Sequence, residues 1–571
     1  MPRKEIVRRR EETGEIAPDE IFLDSSNLPH LDESQFEGKV ERPVAPSAIM
    51  AIGVVFVLAA IVFAGRAFEL QILNGSVYAD ISRNNRLDRL VIFSTRGVIY
   101  DRNGVELAWN ERESDEDGET TTPFALRRYT RTPGFAHMLG FVRYPKKDSA
   151  GFWWREEYAG VSGVEAVYDD LLAGKNGSHM VETDARGAVV REHIVVPTER
   201  GEPLTLSIDA DVQAELYRVL SAHAQRNGFQ GGASVVLDVE TGEVLALVSF
   251  PEYDNQAFAD GDSAAVARAN TDGVSPLLNR AISGVYAPGS IVKPIFAAAA
   301  LAEGIIDPAK KILSTGQLVV PNPYNPDAPS VFRDWRAHGW TDMREAIAVS
   351  SDVYFYTIGG GFADQTGLGI ARIDSWALRF GLGAPTGIEL AGEASGLIPT
   401  PEWKESVFGP HDPWRIGDTY NTSIGQYGFQ MTPLQAAVFT AAIANGGMLV
   451  QPHLRHGDPP PARAIEGMTD EYLRVAREGM RMAVRSSVGT ARALDMPSPS
   501  IAAKTGTAQV GARNEFMNSW VIGYWPHENP KYAFATVLER APAGTLSGAA
   551  PAMRPFFEWL VAEKPEFADS R

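Results

Sequence analysis

Between Arg42 and Arg66 the chain reads PVAPSAIMAIGVVFVLAAIVFAG, residues 43–65, with no charge and with apolar side chains on every helical face. A helix needs about 20 such residues to cross a bilayer, and one that is apolar all round has no face to offer water. The segment behind it, FAGRAFELQI, is a poor cleavage site, so residues 43–65 are read as an uncleaved membrane anchor rather than a signal peptide. Residues 1–42 mix acidic, basic, Pro and Ser positions without periodicity and are read as a disordered tail. The basic cluster Arg3 to Arg10 places that tail in the cytoplasm and everything after the anchor outside it.

Beyond the anchor the rhythm changes. RGVIYDRNGVELAW, from Arg96 to Trp109, sets two short apolar runs around the turn Arg102-Asn103-Gly104 and predicts a hairpin. Residues 112–122, RESDEDGETTT, hold no core position and predict an exposed loop. In SGVEAVYDDLLAGKNG, Val164, Val167, Tyr168, Leu171 and Leu172 fall at helical spacing before Gly174 and Gly177. Residues 66–202 are therefore read as a mixed α+β block, a membrane-proximal pedestal.

After it, Asp209 can cap a helix whose Val212, Leu216, Val219 and Leu220 share one face. ASVVLDV and EVLALVSF flank the turn Glu240-Thr241-Gly242 as a strand pair. Near the other end IAAKTGTAQV, NSWVIGYW and YAFATVLE read as three more strands, followed by a helix over residues 551–562. Between them TPLQAAVFTAAIANGG has Thr432 as N-cap, Pro433 at the first helical position and Gly446 as terminator. Strands at both ends with helices between predict one antiparallel sheet packed with helices, an α+β domain over residues 203–566 with 567–571 as a short tail.

Composition narrows the function. A chain of 571 residues holds more than one folded unit. A formal charge of −19 without a basic face beyond the N-terminus excludes a nucleic-acid partner. With no cysteine there is neither a disulfide framework nor a thiolate metal site, and no metal or organic cofactor is implied.

The candidate chemistry begins at YAPGSIVKPIF, Tyr286 to Phe296, where Ser290 and Lys293 stand three residues apart in an apolar run. On a helix beginning at Ser290 they share a face. A serine hydroxyl needs a base to take its proton, and burial lowers a lysine's pKa towards that task. Ser-x-x-Lys alone is short enough to arise by chance. It is followed by Ser350-Ser351-Asp352 and then by Lys504-Thr505-Gly506-Thr507 on a predicted strand, and the order S-x-x-K, S-x-[N/D], K-T-G is that of the penicillin-recognising serine acyltransferases.

With RGVIYDRNG, SGVEAVYDDLLAGKNG, TGEVLALVSFPEYD, GDTYNTSIGQYGFQMTPLQAAVFTAAIANGG and SWVIGYWP, the chain resembles the class B penicillin-binding proteins over roughly residues 66–562, and within them the elongation-specific, rod-shape branch. The resemblance implies a bitopic peptidoglycan D,D-transpeptidase of the inner membrane, with its catalytic domain periplasmic, that cross-links stem peptides and is acylated by β-lactams. It implies Ser290 as nucleophile, Lys293 as its base, Ser350 as proton relay to the leaving amine, and a charged Lys504 that assists the relay and attracts the substrate's terminal carboxylate. Thr505 and Thr507 would bind that carboxylate, Gly506 would let the peptide approach, and the backbone N–H groups of Ser290 and Thr507 would form the oxyanion hole. Many relatives carry Asn where this chain has Asp352. A carboxylate only accepts hydrogen bonds, so Asp352 is expected to pair with Lys293 or Lys504. Partners implied are a SEDS-type glycan polymerase and other elongation-complex membrane proteins.

The competing readings are a division-specific transpeptidase of the same class, a β-lactamase, and a β-lactam sensor. The chain has no Glu-x-x-Leu-Asn motif for deacylation, an anchor and pedestal are foreign to a diffusible hydrolase, and 42 tail residues leave little room for a signalling module.

Overall fold

The computed structural model describes residues 46–76, 87–113, 122–183, 189–322, 325, 327–457 and 459–568. The tail over 1–42, most of the polar loop over 112–122 and the last residues of 567–571 lie outside the described residues. By backbone contacts the chain forms two units, residues 1–88 with 181–191, and residues 89–180 with 192–571.

In the first unit helix α1 spans Pro46–Phe68 and runs into a wider π-helical turn over Glu69–Leu73. Its apolar side chains are exposed all round, Phe56 and Phe63 among them. At about 1.5 Å per residue, the apolar stretch Ile49–Leu73 is long enough to span a bilayer. It is the single described helix that is.

The second unit holds the elements that position the site. Its hairpin is made by β1, Ile99–Tyr100, and β2, Glu106–Glu111, which pair antiparallel. Strand β3, Leu126–Tyr129, joins on one side and β4, Leu204–Thr205, lies parallel to β1 on the other. The predicted helix through Val164 to Leu172 is broken in two, Gly163–Val167 and Asp169–Ala173. The break falls at Tyr168, whose φ −106°, ψ 26° leave the helical region, and the Asp169 carboxylate that follows accepts from the Gly160 N–H and pairs with Arg96.

The larger sheet is antiparallel and five-stranded. Helix α2, Ala210–Asn227, precedes β5, Gly231–Asp238, and β6, Val244–Phe250. Strands β7, Ala502–Val510, β8, Phe516–Trp525, and β9, Tyr532–Pro542, complete it in the order β6-β5-β9-β8-β7. Both faces are buried, and the two-residue period of a strand divides its side chains between them. Val235, Leu237, Trp520 and Ile522 enter one apolar cluster, Val236, Val521 and Phe534 the other. Asp209 caps α2 by accepting from the Asp211 and Val212 N–H groups. The helix Pro433–Ala444, buried along its whole length, starts from a Thr432–Gln435 capping box.

Strand β7 is one of the two edge strands of this sheet. Against it packs the turn that carries Ser290. That turn is not the start of an α-helix. Gly289–Val292 is a 3₁₀ turn, and helix α3 begins only at Lys293, spanning Lys293–Ala302. Pro294 has no N–H to give the Ser290 carbonyl, so that carbonyl takes the Lys293 N–H one residue earlier and the turn tightens.

Candidate active site

Three chain segments meet at the edge of β7. The first is the Ser290 turn. Gly289 has φ +57°, and a Cβ there would stand 2.6 Å from the Thr507 carbonyl oxygen, so only glycine lets the turn lie this close to the strand. The Trp520 indole N–H donates to Ala287 O at 3.0 Å, and the Gly289 N–H donates to Gly425 O at 2.9 Å. The backbone beside the half-buried Ser290 is thus held from two sides.

The second segment joins helix α4, Met343–Val349, to helix α5, Asp352–Gly360. Ser350 sits between them at φ 59°, ψ 41°, a left-handed conformation unusual for a residue with a Cβ. It is held there from both sides. The Ser351 N–H donates to Ala346 O at 2.9 Å, and Ser351 caps α5 by accepting from the Tyr354 N–H.

The third segment is β7 itself. Lys504 and Lys293 are both wholly buried, and the Ser350 hydroxyl lies between their amines. Lys504 Nζ donates to Ser350 Oγ at 2.8 Å and to Thr505 O at 2.7 Å. Lys293 Nζ donates to Asp352 Oδ1 at 2.6 Å and to Ser350 O at 2.8 Å, with Ser350 Oγ at 3.4 Å. Of the two lysines open to Asp352, Lys293 is the one it contacts. The same amine lies over the Phe355 ring, 5.3 Å from its centre.

Burial, and then the neighbouring Lys293 charge, hold the Lys504 amine well below the ordinary lysine value, and Asp352 only partly opposes them. This departs from the expectation of a resident charge on Lys504. Sequence spacing could not supply the reason, which is that the amine is wholly buried beside a second lysine and, among the described residues, makes no ion pair. Its two hydrogen bonds are what a neutral amine, with two N–H groups, can donate.

Two further positions of β7 make contacts inside the protein. A Cβ on Gly506 would stand 2.7 Å from Pro288 O and 2.9 Å from Ile291, so its missing side chain makes room for the Ser290 turn. The Thr505 hydroxyl donates to Thr490 Oγ1 at 2.7 Å. Thr507 is exposed at the rim, its carbonyl 3.4 Å from the Gln426 amide.

Sequence reasoning passed over Asp334. Its side chain is fully buried, and Oδ2 accepts from Ser351 Oγ at 2.9 Å, from the Val353 N–H at 3.1 Å and from Ser314 Oγ at 3.2 Å. Oδ1 takes the Trp335 N–H at 2.9 Å and lies 3.2 Å from His338 Nε2. Burial opposes its charge, but the bonds from His338 and the Val353 backbone, with the Lys293 charge, outweigh it and hold the carboxyl at about 2. Asp334 therefore anchors the Ser350-Ser351-Asp352 turn from behind. The only sequence signal was a polar stretch, RDWRAH, with no partner visible nearby.

Among known proteins, the model of the penicillin binding protein transpeptidase domain matches residues 232–558, and that of the penicillin-binding protein dimerisation domain matches 110–206. The chain is 32% identical to the peptidoglycan D,D-transpeptidase MrdA of Haemophilus influenzae, over 92% of this chain and 93% of that protein. It is similar to the penicillin-binding protein PBP2 solved in complex with MreC from Helicobacter pylori, with TM-score 0.69 and 25% identity, over 84% of this chain and 100% of that one. It is similar also to a chain of a peptidoglycan synthase complex that coordinates polymerization and crosslinking, with TM-score 0.69 and 28% identity, over 92% of this chain and 99% of that one.

Proposed function

The chain belongs to the penicillin-binding protein transpeptidase family, and on that premise we propose that it is a serine-type peptidoglycan D,D-transpeptidase of cell-wall elongation. The observation that carries the chemistry is the hydroxyl of Ser350, itself on a left-handed turn, set between the buried amines of Lys293 and Lys504.

Ser290 Oγ attacks the penultimate D-Ala carbonyl of a stem peptide, the terminal D-Ala leaves as an amine, and an amine of a second stem peptide then takes the acyl group. The serine proton needs a base. In the structure Lys293 is bonded to Asp352 while Lys504 is the depressed amine, and Ser350 Oγ connects the two. A substrate carboxylate arriving beside Lys504 favours the proton there. Passing it from Lys293 through Ser350 to Lys504 leaves Lys293 neutral to accept the Ser290 proton, and the same path returns a proton to the leaving amine. Charge on Lys504 is thus created by substrate binding. Backbone N–H groups of Ser290 and Thr507 are assigned to the oxyanion, each such donor being worth about 3 kcal/mol. Thr505 and Thr507 are assigned to the carboxylate. β-Lactams acylate the same serine.

We assign residues 66–202 to the pedestal and 203–566 to the transpeptidase domain, with the tail on the cytoplasmic side of a single anchor helix and both domains periplasmic. The pedestal is assigned to docking other elongation-complex membrane proteins, a SEDS-type glycan polymerase first among them. The relatives solved with MreC and within a synthase complex support partners of this general kind.

Treatment with a fluorescent penicillin tests the reading. Wild-type protein should be labelled covalently and with a long lifetime, and Ser290→Ala, still folded, not at all. Undiminished labelling of Ser290→Ala would remove the nucleophile. Rapid turnover of the wild-type adduct would favour a β-lactamase.

A further inference from the structure

Thr490 closes the short loop that follows helix Asp470–Arg485. Its N–H donates to Ala348 O at 3.1 Å, which ties it to the residue two places before Ser350. Its hydroxyl accepts the Thr505 hydroxyl proton at 2.7 Å, while its own proton is directed at Ala348 O across 3.5 Å, at the limit of hydrogen bonding. So the hydroxyl assigned above to the substrate carboxylate is engaged within the protein, by a neighbour whose own donor is poorly used.

A hydroxyl carries one proton and two acceptor lone pairs. For Thr505 to donate to a carboxylate it must release Thr490. Thr490 can then turn its O–H from the distant carbonyl onto Thr505 Oγ1, keeping the two oxygens at the same separation with the direction of donation reversed. We propose that Thr490 is a positioning residue for the substrate carboxylate: it accepts from Thr505 when the site is empty and donates to it when the carboxylate is bound. No covalent bond changes, and each hydroxyl keeps its own proton. The proposal rests on the reading of Thr505 as a carboxylate ligand.

The test compares acylation of the detergent-solubilised full chain by benzylpenicillin and by its methyl ester, which lacks the anionic group. Thr490→Val keeps the shape and removes the hydroxyl. It should lower the second-order acylation rate constant for benzylpenicillin about three- to tenfold, the usual weight of one such bond, and leave that for the ester unchanged. Thr490→Ser should restore the wild-type ratio. Equal slowing of both compounds, or of neither, would overturn the proposal. Thr505→Val checks the premise separately: if that variant keeps the full preference for the free acid, the assignment of Thr505 fails and the proposal with it. Loss of preference in Thr505→Val but not in Thr490→Val overturns the proposal alone.

Discussion

Two places in the second unit bury a pair of cations around a shared acceptor, and they use opposite chemistry. In the smaller α+β region Arg96 and Arg127 each bond one oxygen of Glu165, at 2.6 and 2.7 Å, and all three side chains are fully buried. Arg96 also reaches Asp169 at 2.7 Å. At β7, Lys293 and Lys504 share the Ser350 hydroxyl. Guanidinium does not lose its proton in proteins, whereas an ammonium can be pushed to neutrality by burial. The arginine cluster therefore cross-links the segment before β1, strand β3 and helix Gly163–Val167 with charges that never titrate. The lysine pair holds charges that can move. Buried cations alone say little about function; whether they can shed a proton says more.

The comparison breaks most sharply if the lysine pair tolerates arginine. Lys504→Arg should lower the acylation rate by at least about a thousandfold, the order of a lost acid–base partner, with the circular dichroism spectrum unchanged; labelling near the wild-type rate would dissolve the distinction. Next, Glu165→Gln leaves two buried guanidinium groups around a neutral amide. It should cost about 3–5 kcal/mol in urea denaturation while the folded fraction acylates normally, and a loss below 1 kcal/mol would make the cluster dispensable.

Asp334→Asn is expected to cost about 1–3 kcal/mol near neutral pH, since an amide nitrogen would face donors. Because the folded carboxyl lies at about 2, below its unfolded value, its contribution is full above the unfolded pKa and is lost as pH falls through the folded one. The gap between variant and wild type should therefore close in acid; a constant gap would assign the loss to packing. The smallest effect has the opposite sign. The Lys504 amine is depressed in the fold, so at neutral pH the unfolded chain binds a proton that the folded chain refuses. Lys504→Met should abolish acylation yet raise stability by about 1 kcal/mol at pH 7, a gain that disappears above the ordinary lysine pKa.

Much of the frame was legible because it follows local rules. Short, largely apolar runs became β5 to β9, and Asp209 and Thr432 cap the helices they precede. The three motifs could be named, since their order is carried by the chain itself. What stayed hidden is long-range. Arg96, Arg127 and Glu165 are charged residues that nothing local marks as buried. Asp334 reaches Ser351 only through the packing of α4 and α5, and the left-handed turn at Ser350 follows from those contacts rather than from any glycine. The state of Lys504 depends on its burial and on the neighbouring Lys293 charge, which no spacing reveals. The 3₁₀ turn at Ser290 is the exception, because its cause, the missing N–H of Pro294, is local.

The central claim is that the amine pair linked by Ser350 supplies a neutral base at physiological pH. The pH dependence of single-turnover acylation by benzylpenicillin, followed at saturating drug, tests it most directly. Below the pKa of the pair the base is protonated and the rate falls, and the midpoint belongs to the coupled pair rather than to one lysine. The account predicts a plateau through neutral pH with an acid limb well under the ordinary lysine value. A rate that keeps climbing to about pH 10, with the midpoint of a free lysine, would contradict it.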